Sequence, residues 1–206
     1  MRESIDVILF DLGGVLMELG ASPVPAQSLP DDHSFTLADL VATEAWIAFD
    51  KGRITPHAFA QTVKNDLGIA CSTEQLIEHF TEWPVGLFPG ARDLLQQLRE
   101  DYRLAILTNT NELHWPRFID EFQLPDYIEH IFASHQLAMA KPEPGIYQHV
   151  INTLNMEPSR ILFLDDNSGN VEAARLLGIE GHCVQGFEQL KKFLSAQGII
   201  ANESLA

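Results

Sequence analysis

Positive charge is scarce in this chain. Its 206 residues carry 13 Lys and Arg against 29 Asp and Glu, a formal charge of −16, which argues against general binding to nucleic acid or to an anionic membrane, because both draw on excess Lys and Arg. A small anion remains admissible where a local cation overcomes the global field. Cysteine is scarce too. Cys71 and Cys183 have no second Cys or His at metal-ligand spacing, so no zinc ladder is expected and both read as buried thiols. Long apolar runs are missing: the one after Met1, Arg2 and Glu3 is stopped by Asp11 well short of signal-peptide or membrane-spanning length, and a cytoplasmic setting is expected. No internal repeat is visible. Apolar residues at 46% and charged residues at 20% are close to globular averages, and the length suits one α/β domain with room for a smaller insert.

What the chain does contain is a set of short apolar runs separated by helical segments. Ile5-Asp6-Val7-Ile8-Leu9-Phe10 reads as a strand buried on both faces, ended by Gly13-Gly14. Residues 21–32, with Pro23, Pro25 and Pro30, read as a loop or hinge. Over residues 35–83 the pattern is helical, with three start signals: Thr36, Thr55 before Pro56, and Ser72 with Gln75 as a capping box. Gly52 and Gly68 stand where two of these helices should stop. The spacing predicts three short helices forming a small insert.

After Pro89-Gly90 helix and strand alternate. Leu94, Leu95 and Leu98 share one helical face; the strand Leu104-Ala105-Ile106-Leu107 follows, then a helix after Asn111. A short strand at 131–133, a helix at 144–154, the strand Ile161-Leu162-Phe163-Leu164, a helix at 169–177, the strand His182-Cys183-Val184 and a closing helix at 188–197 complete the chain. This alternation predicts parallel pairing in a doubly wound sheet with an inserted all-helical domain: α/β core over 1–16 and 89–206, helical cap over 17–88.

In an open parallel sheet, ligands bind beyond the carboxyl ends of the strands. The first strand ends in Asp11, the second in Thr108-Asn109-Thr110-Asn111, the third in Asp165-Asp166-Asn167, and Lys141 stands in a loop before a helix. Singly, each has a structural reading as an Asx turn, a helix cap or a solvated lysine. Together they describe a site: clustered acids repel unless a cation sits among them, and an all-oxygen donor set suits Mg²⁺ sharing a substrate phosphate.

The run Phe10-Asp11-Leu12-Gly13-Gly14-Val15-Leu16, the strand end Leu107-Thr108-Asn109, Lys141-Pro142, and Leu164-Asp165-Asp166 with Asn170 resemble the four ordered motifs of the haloacid dehalogenase superfamily. The helical insert lies where one large subclass carries its cap. Within the superfamily, Asp-Leu-Gly-Gly-Val, Thr-Asn-Thr-Asn with His114, and Lys-Pro-Glu-Pro-Gly-Ile-Tyr are similar to bacterial hexose 1-phosphate phosphatases and, more distantly, to the phosphatase domain of soluble epoxide hydrolases. The resemblance implies a phosphatase in which Asp11 attacks phosphorus to form an aspartyl-phosphate. It further implies Mg²⁺ held by Asp11, the Gly13 backbone carbonyl, Asp165 or Asp166, and Asn170 through a water, with Thr108, Asn109 and Lys141 on the phosphoryl oxygens. The expected partner is a small phosphorylated metabolite, for a monomer or homodimer.

One position departs from the family pattern. Most phosphatases of the superfamily have a second aspartate two residues after the nucleophile, the general acid for the leaving alcohol, and here that position is Gly13. Positioned proton transfer contributes about 10²–10⁴ in rate, so an anomeric 1-phosphate, whose departing hydroxyl is comparatively acidic, becomes the expected substrate. His114 is a candidate proton relay. Trp46, Phe49 and Arg53 are candidates for substrate selection by the cap, against a packing role for the aromatics and a solvated Arg53; Trp83 and Trp115 read as core or hinge packing. Two rivals stand beside the phosphatase: a non-catalytic metabolite binder, suggested by Gly13, and a metal-independent dehalogenase, which the acidic pair opposes.

Overall fold

Strand β1 (Val7–Phe10) is fully buried, and its side chains alternate between two separate cores. Ile8 and Phe10 enter one cluster, Val7 and Leu9 the other, as the two-residue period of a strand requires. A computed structural model describes residues 4–29 and 36–201. Pro30, Asp32 and Phe35, which bear on the expected loop and the start of the helical stretch, lie outside the described residues, as do Met1, Arg2 and Glu3.

Along the chain, β2 (Met17–Leu19) follows β1. Next come α1 (Leu37–Val41), α2 (Glu44–Asp50), α3 (Pro56–Leu67), α4 (Thr73–Thr81) and β3 (Pro84–Leu87). The remainder alternates: α5 (Ala91–Leu98), β4 (Arg103–Thr108), β5 (His130–Ala133), α6 (Ser134–Leu137), α7 (Pro144–Leu154), β6 (Ile161–Asp165), α8 (Ser168–Leu176), β7 (Glu180–Cys183) and α9 (Phe187–Ala196). Five strands form one parallel sheet in the order β5-β4-β1-β6-β7. Residues of α5 and α9 cover one face and residues of α7 and α8 the other, the doubly wound α/β arrangement expected. The order reverses at β1, so the crevice that the topology opens lies at the carboxyl end of β1, between its neighbours β4 and β6.

The insert has its own core, in which Leu40, Trp46, Phe49, Phe59 and Phe80 are buried together. Phe49 stacks on Phe59 with centroids 4.4 Å apart, and Trp46 meets Phe59 and Phe80 edge-on at 5.6 and 5.2 Å. Such ring pairs add about 0.5–1.5 kcal/mol each beyond area burial. The insert leaves and rejoins the core through β2 and β3, an antiparallel ribbon, and Trp83 Nε1 ties the junction by donating to the Gly20 carbonyl at 2.9 Å.

Several expectations are corrected. The described part of the insert holds four α-helices rather than three: Thr43 Oγ1 accepts from Trp46 N and starts a helix of its own after the break at Ala42. The β2–β3 ribbon lies just outside the expected loop and helical stretch, at positions where no strand is expected. The helix expected after Asn111 is present, but it is short and mostly of π type, over Arg117–Glu121, and follows a turn. The last strand, Glu180–Cys183, begins two residues and ends one residue earlier than expected. Cys71 is half-buried and Cys183 exposed, because Cys183 ends the sheet's outermost strand instead of entering a core. No helix among the described residues is long and apolar enough to cross a membrane.

Candidate active site

Parallel pairing brings the carboxyl ends of β1, β4 and β6 to one rim. In register, Phe10 stands beside Ile106 and Leu164, so Asp11 and Asp165, one residue on, and Thr108, two residues on, converge there. Lys141 arrives from the loop before α7, and its Nζ donates to Asp11 Oδ1 at 2.7 Å and to Asp165 Oδ2 at 2.6 Å. All three side chains are buried or nearly so. Asn109 fixes where this lysine stands: its Nδ2 donates to the Lys141 carbonyl and its Oδ1 accepts from the Lys141 amide, each at 2.9 Å. Both ends of the Asn109 side chain are thereby committed to the backbone of Lys141.

The two members of the acidic pair differ. Asp165 is fully buried, and besides Lys141 it accepts from Asn167 N at 2.8 Å and from Asn170 Nδ2 at 3.0 and 3.1 Å. Asp166 is exposed. Carboxylate oxygens of Asp11, Asp165 and Asp166 lie within 4.8 Å of one another. At such distances like charges repel by about 4 kcal/mol per pair even at an effective dielectric near 20. One ammonium cannot balance three carboxylates. Burial first, and the negative charges of Asp165 and Asp166 next, push the Asp11 carboxyl up to about 7 against the pull of Lys141. The Asp166 carboxyl is likewise raised, by burial and by Asp165. Burial works against the charge on Lys141, but Asp11 and Asp165 outweigh it and raise its pKa.

This excess of oxygen donors over positive charge fits a hard divalent cation. The backbone accommodates the cluster at Gly14, where φ is +73° and a Cβ would stand 2.6 Å from Asp166 Oδ2. Hydrogen bonds at this turn fall on the carbonyls of Leu12, Gly14 and Met17.

A second polar group faces the same cavity of about 750 Å³, which Asp11, Thr108, Lys141, Asp166, Asn111 and Asp50 line. His114 is buried, and its Nε2 lies 2.8 Å from the Phe80 carbonyl. A carbonyl only accepts, so Nε2 carries the hydrogen and Nδ1 accepts from Asn111 Nδ2 at 3.3 Å. Burial lowers the His114 pKa to about 4 despite the Phe80 carbonyl. With both ring nitrogens engaged and the ring neutral, His114 is not placed to relay a proton as expected; it orients Asn111. Thr110 Oγ1, buried and without a hydrogen-bond partner, also lines the cavity, a group whose role the sequence does not single out.

Trp46 lines the cavity while packing in the cap's core. Phe49 is wholly part of that core. Arg53 is not among the lining residues; its Nη2 reaches the Ala138 carbonyl at 3.5 Å. The cap's Lys51, two positions earlier, does line the cavity and pairs with Glu143. Leu37, Val41 and Ile47, exposed apolar residues of α1 and α2, give the cap side of the mouth an apolar character.

A buried aspartate–lysine cluster at the switch point of a doubly wound sheet, under a helical cap, defines the class of capped α/β hydrolases. Residues 5–178 match the haloacid dehalogenase-like hydrolase family, and the chain belongs to it; it is an enzyme of the hydrolase class. It is 28% identical over 186 residues to D-ribitol-5-phosphate phosphatase of Bacteroides thetaiotaomicron, covering 84% of this chain and 88% of that one. It is 33% identical over 202 residues to flavin mononucleotide hydrolase 1 of Arabidopsis thaliana, covering 96% and 80%. Among solved structures, a haloacid dehalogenase family enzyme of Bacteroides thetaiotaomicron, in complex with magnesium and inorganic phosphate, superposes with a TM-score of 0.74. It has 28% identity and covers 89% of this chain and 96% of that one.

Proposed function

We propose that the chain is a magnesium-dependent phosphomonoester hydrolase acting through an aspartyl-phosphate on Asp11, with a small sugar phosphate such as a hexose 1-phosphate as substrate. The observation that carries this reading is the Asp11–Lys141–Asp165 cluster with Asp166 beside it. Asp11 Oδ1 is held by Lys141, which aims the carboxylate and offsets the charge of an approaching phosphoryl group. Lys141, the Thr108 hydroxyl and the Asn109 amide bind the phosphoryl oxygens. Magnesium, when bound, draws charge from those oxygens and offsets the carboxylates. Asp11, the Gly13 carbonyl and Asp166 would hold it, with Asn170 acting through a water; Asp165 already spends its oxygens on Lys141, Asn167 and Asn170. A cytoplasmic setting suits such a substrate.

Two of the similar proteins bear names that point to polyol and flavin phosphates, which are esters of primary alcohols. That favours a second substrate class beside the anomeric phosphates that Gly13 favours. The test is release of inorganic phosphate over a panel of hexose 1-phosphates, primary sugar and polyol phosphates and carboxylic-acid phosphates, with Mg²⁺ and with chelator. Magnesium-dependent release from a sugar or polyol phosphate supports the reading; release that persists in chelator, or none from any ester, contradicts it.

A further inference from the structure

Within the cavity one buried acid has no part in the cluster at the strand ends. Asp50 closes α2, is 8% exposed and lines the cavity with Asp11. We propose that Asp50 is the general acid and base for the leaving oxygen, supplying from the cap the carboxyl group that Gly13 does not supply from the core. The inference rests on the phosphatase reading above.

Three observations place Asp50 for this. First, the segment around it is held against the core. Lys51 pairs with Glu143, Arg53 Nη2 approaches the Ala138 carbonyl, and at Gly52 the backbone comes so close to α6 that a Cβ would lie 2.5 Å from the His135 carbonyl oxygen. Second, its contacts are neutral donors. Asn111 Nδ2 lies 3.4 Å from Asp50 Oδ1, and the Trp46 side chain also hydrogen-bonds the carboxyl. Asn111 is in turn fixed by His114, and its Oδ1 accepts from the amides of Leu113 and His114 at 3.2 and 3.3 Å. His114 and Asn111 are therefore positioning residues for Asp50.

Third, among the described residues no cation compensates its burial. Lys51 turns to Glu143, His114 is neutral, and burial lowers the pKa of His135 on α6. On α1, Asp39 is exposed and bonded to Thr36; on α3, His57 and Asp66 are exposed and Lys64 half-exposed. Across the cavity, Lys141 is already shared by Asp11 and Asp165. Burial pushes the Asp50 carboxyl up to about 7, against the bonds from Asn111 and Trp46, near the value at which a group can both give and take a proton at neutral pH.

The chemistry balances. As Asp11 forms its bond to phosphorus, the bond from phosphorus to the ester oxygen breaks, and that oxygen takes the electron pair together with the proton of Asp50. The Asp50 carboxylate then takes a proton from water as the water oxygen attacks phosphorus. The Asp11–phosphorus link breaks, and both aspartates return to their starting states with one alcohol and one phosphate released.

The test compares kcat/KM of the wild type and Asp50→Asn on p-nitrophenyl phosphate, whose leaving group needs little protonation, and on the fastest primary alkyl phosphate of the panel. Asp50→Asn is expected to lose about 10²–10⁴-fold on the alkyl ester, and at least tenfold less on the nitrophenyl ester. Gly13→Asp, added to Asp50→Asn, is expected to recover alkyl-ester turnover. At position 13 a Cβ would meet the Leu19 side chain at 3.2 Å, a contact that needs only a small shift. Equal losses on both esters, an intact alkyl rate in Asp50→Asn, or failure of Gly13→Asp to recover it would overturn the assignment. So would a wild type that cleaves only the nitrophenyl ester. A wild type that cleaves neither removes the phosphatase reading itself.

Discussion

The sheet core and the helical cap bury their acids on opposite terms. In the core, Asp11 and Asp165 share the ammonium of Lys141 at 2.7 and 2.6 Å, so the lysine stays charged and, with a divalent cation added, the rim would meet an anion. Burial raises both Asp11 and Asp50 to about 7, but in the cap Asp50 meets hydrogen-bond donors and, among the described residues, no cation to offset it. A permanent charge orients and stabilises a phosphoryl group; a carboxyl that titrates near neutrality moves protons. Under the proposed roles, proton transfer and phosphoryl binding sit on different sides of one cavity, and position 13 needs no acid.

The sharpest break in this division is Asp11→Asn. It should reduce phosphate release by about 10⁴-fold or more, measured by steady-state turnover, while the unfolding midpoint moves little because Lys141 keeps Asp165. Lys141→Met should show its effect in stability as well as rate. Removing the ammonium leaves Asp11 and the fully buried Asp165 without their counter-charge, a loss of about 3–5 kcal/mol, read from denaturant titrations.

The cap acid should behave in the opposite sense. The Asp50 carboxyl is raised from an ordinary 3.8 to about 7 in the folded state, so the folded chain binds its proton more tightly than the unfolded one. Its contribution to stability is therefore complete below about pH 4 and is lost as pH rises through 7. Asp50→Asn removes this loss, and by pH 8 should have gained up to about 4 kcal/mol on the wild type relative to their difference at pH 4, measured by urea unfolding at a series of pH values. A somewhat smaller effect of the other sign belongs to His114, lowered from 6.5 to about 4 by burial. Here the unfolded chain binds the proton more readily, so stability present above pH 6.5 falls as pH drops towards 4. The loss is about 3 kcal/mol, and His114→Gln should flatten it.

Much of the core is legible in the sequence because buried parallel strands are short runs of apolar residues, and Asp11, Thr108 and Asp165 stand where those runs stop. The caps at Thr36, Thr55 and Ser72 are equally local, each accepting from the backbone amide three residues on. Thr43 escapes because no glycine or proline marks the break before it. The β2–β3 ribbon escapes because strands of three and four residues, one beginning with Pro84, show no alternation. Asp50 escapes for a different reason: its importance comes from burial beside Asn111 and His114, contacts made across the fold. Helical position alone does not separate it from Trp46, Phe49 and Arg53. The same holds for His114, whose isolated position in sequence conceals the burial that keeps it neutral and the two bonds that orient it.

The role of Asp11 is tested most directly by quenching the enzyme with acid during turnover of a phosphate ester that it hydrolyses and mapping its peptides by mass. A covalent nucleophile requires one added phosphoryl group on the peptide that carries Asp11, lost on further incubation before the quench and missing in Asp11→Asn. Steady turnover with that peptide unmodified at every quench time, or with the phosphoryl group on another residue, would contradict it.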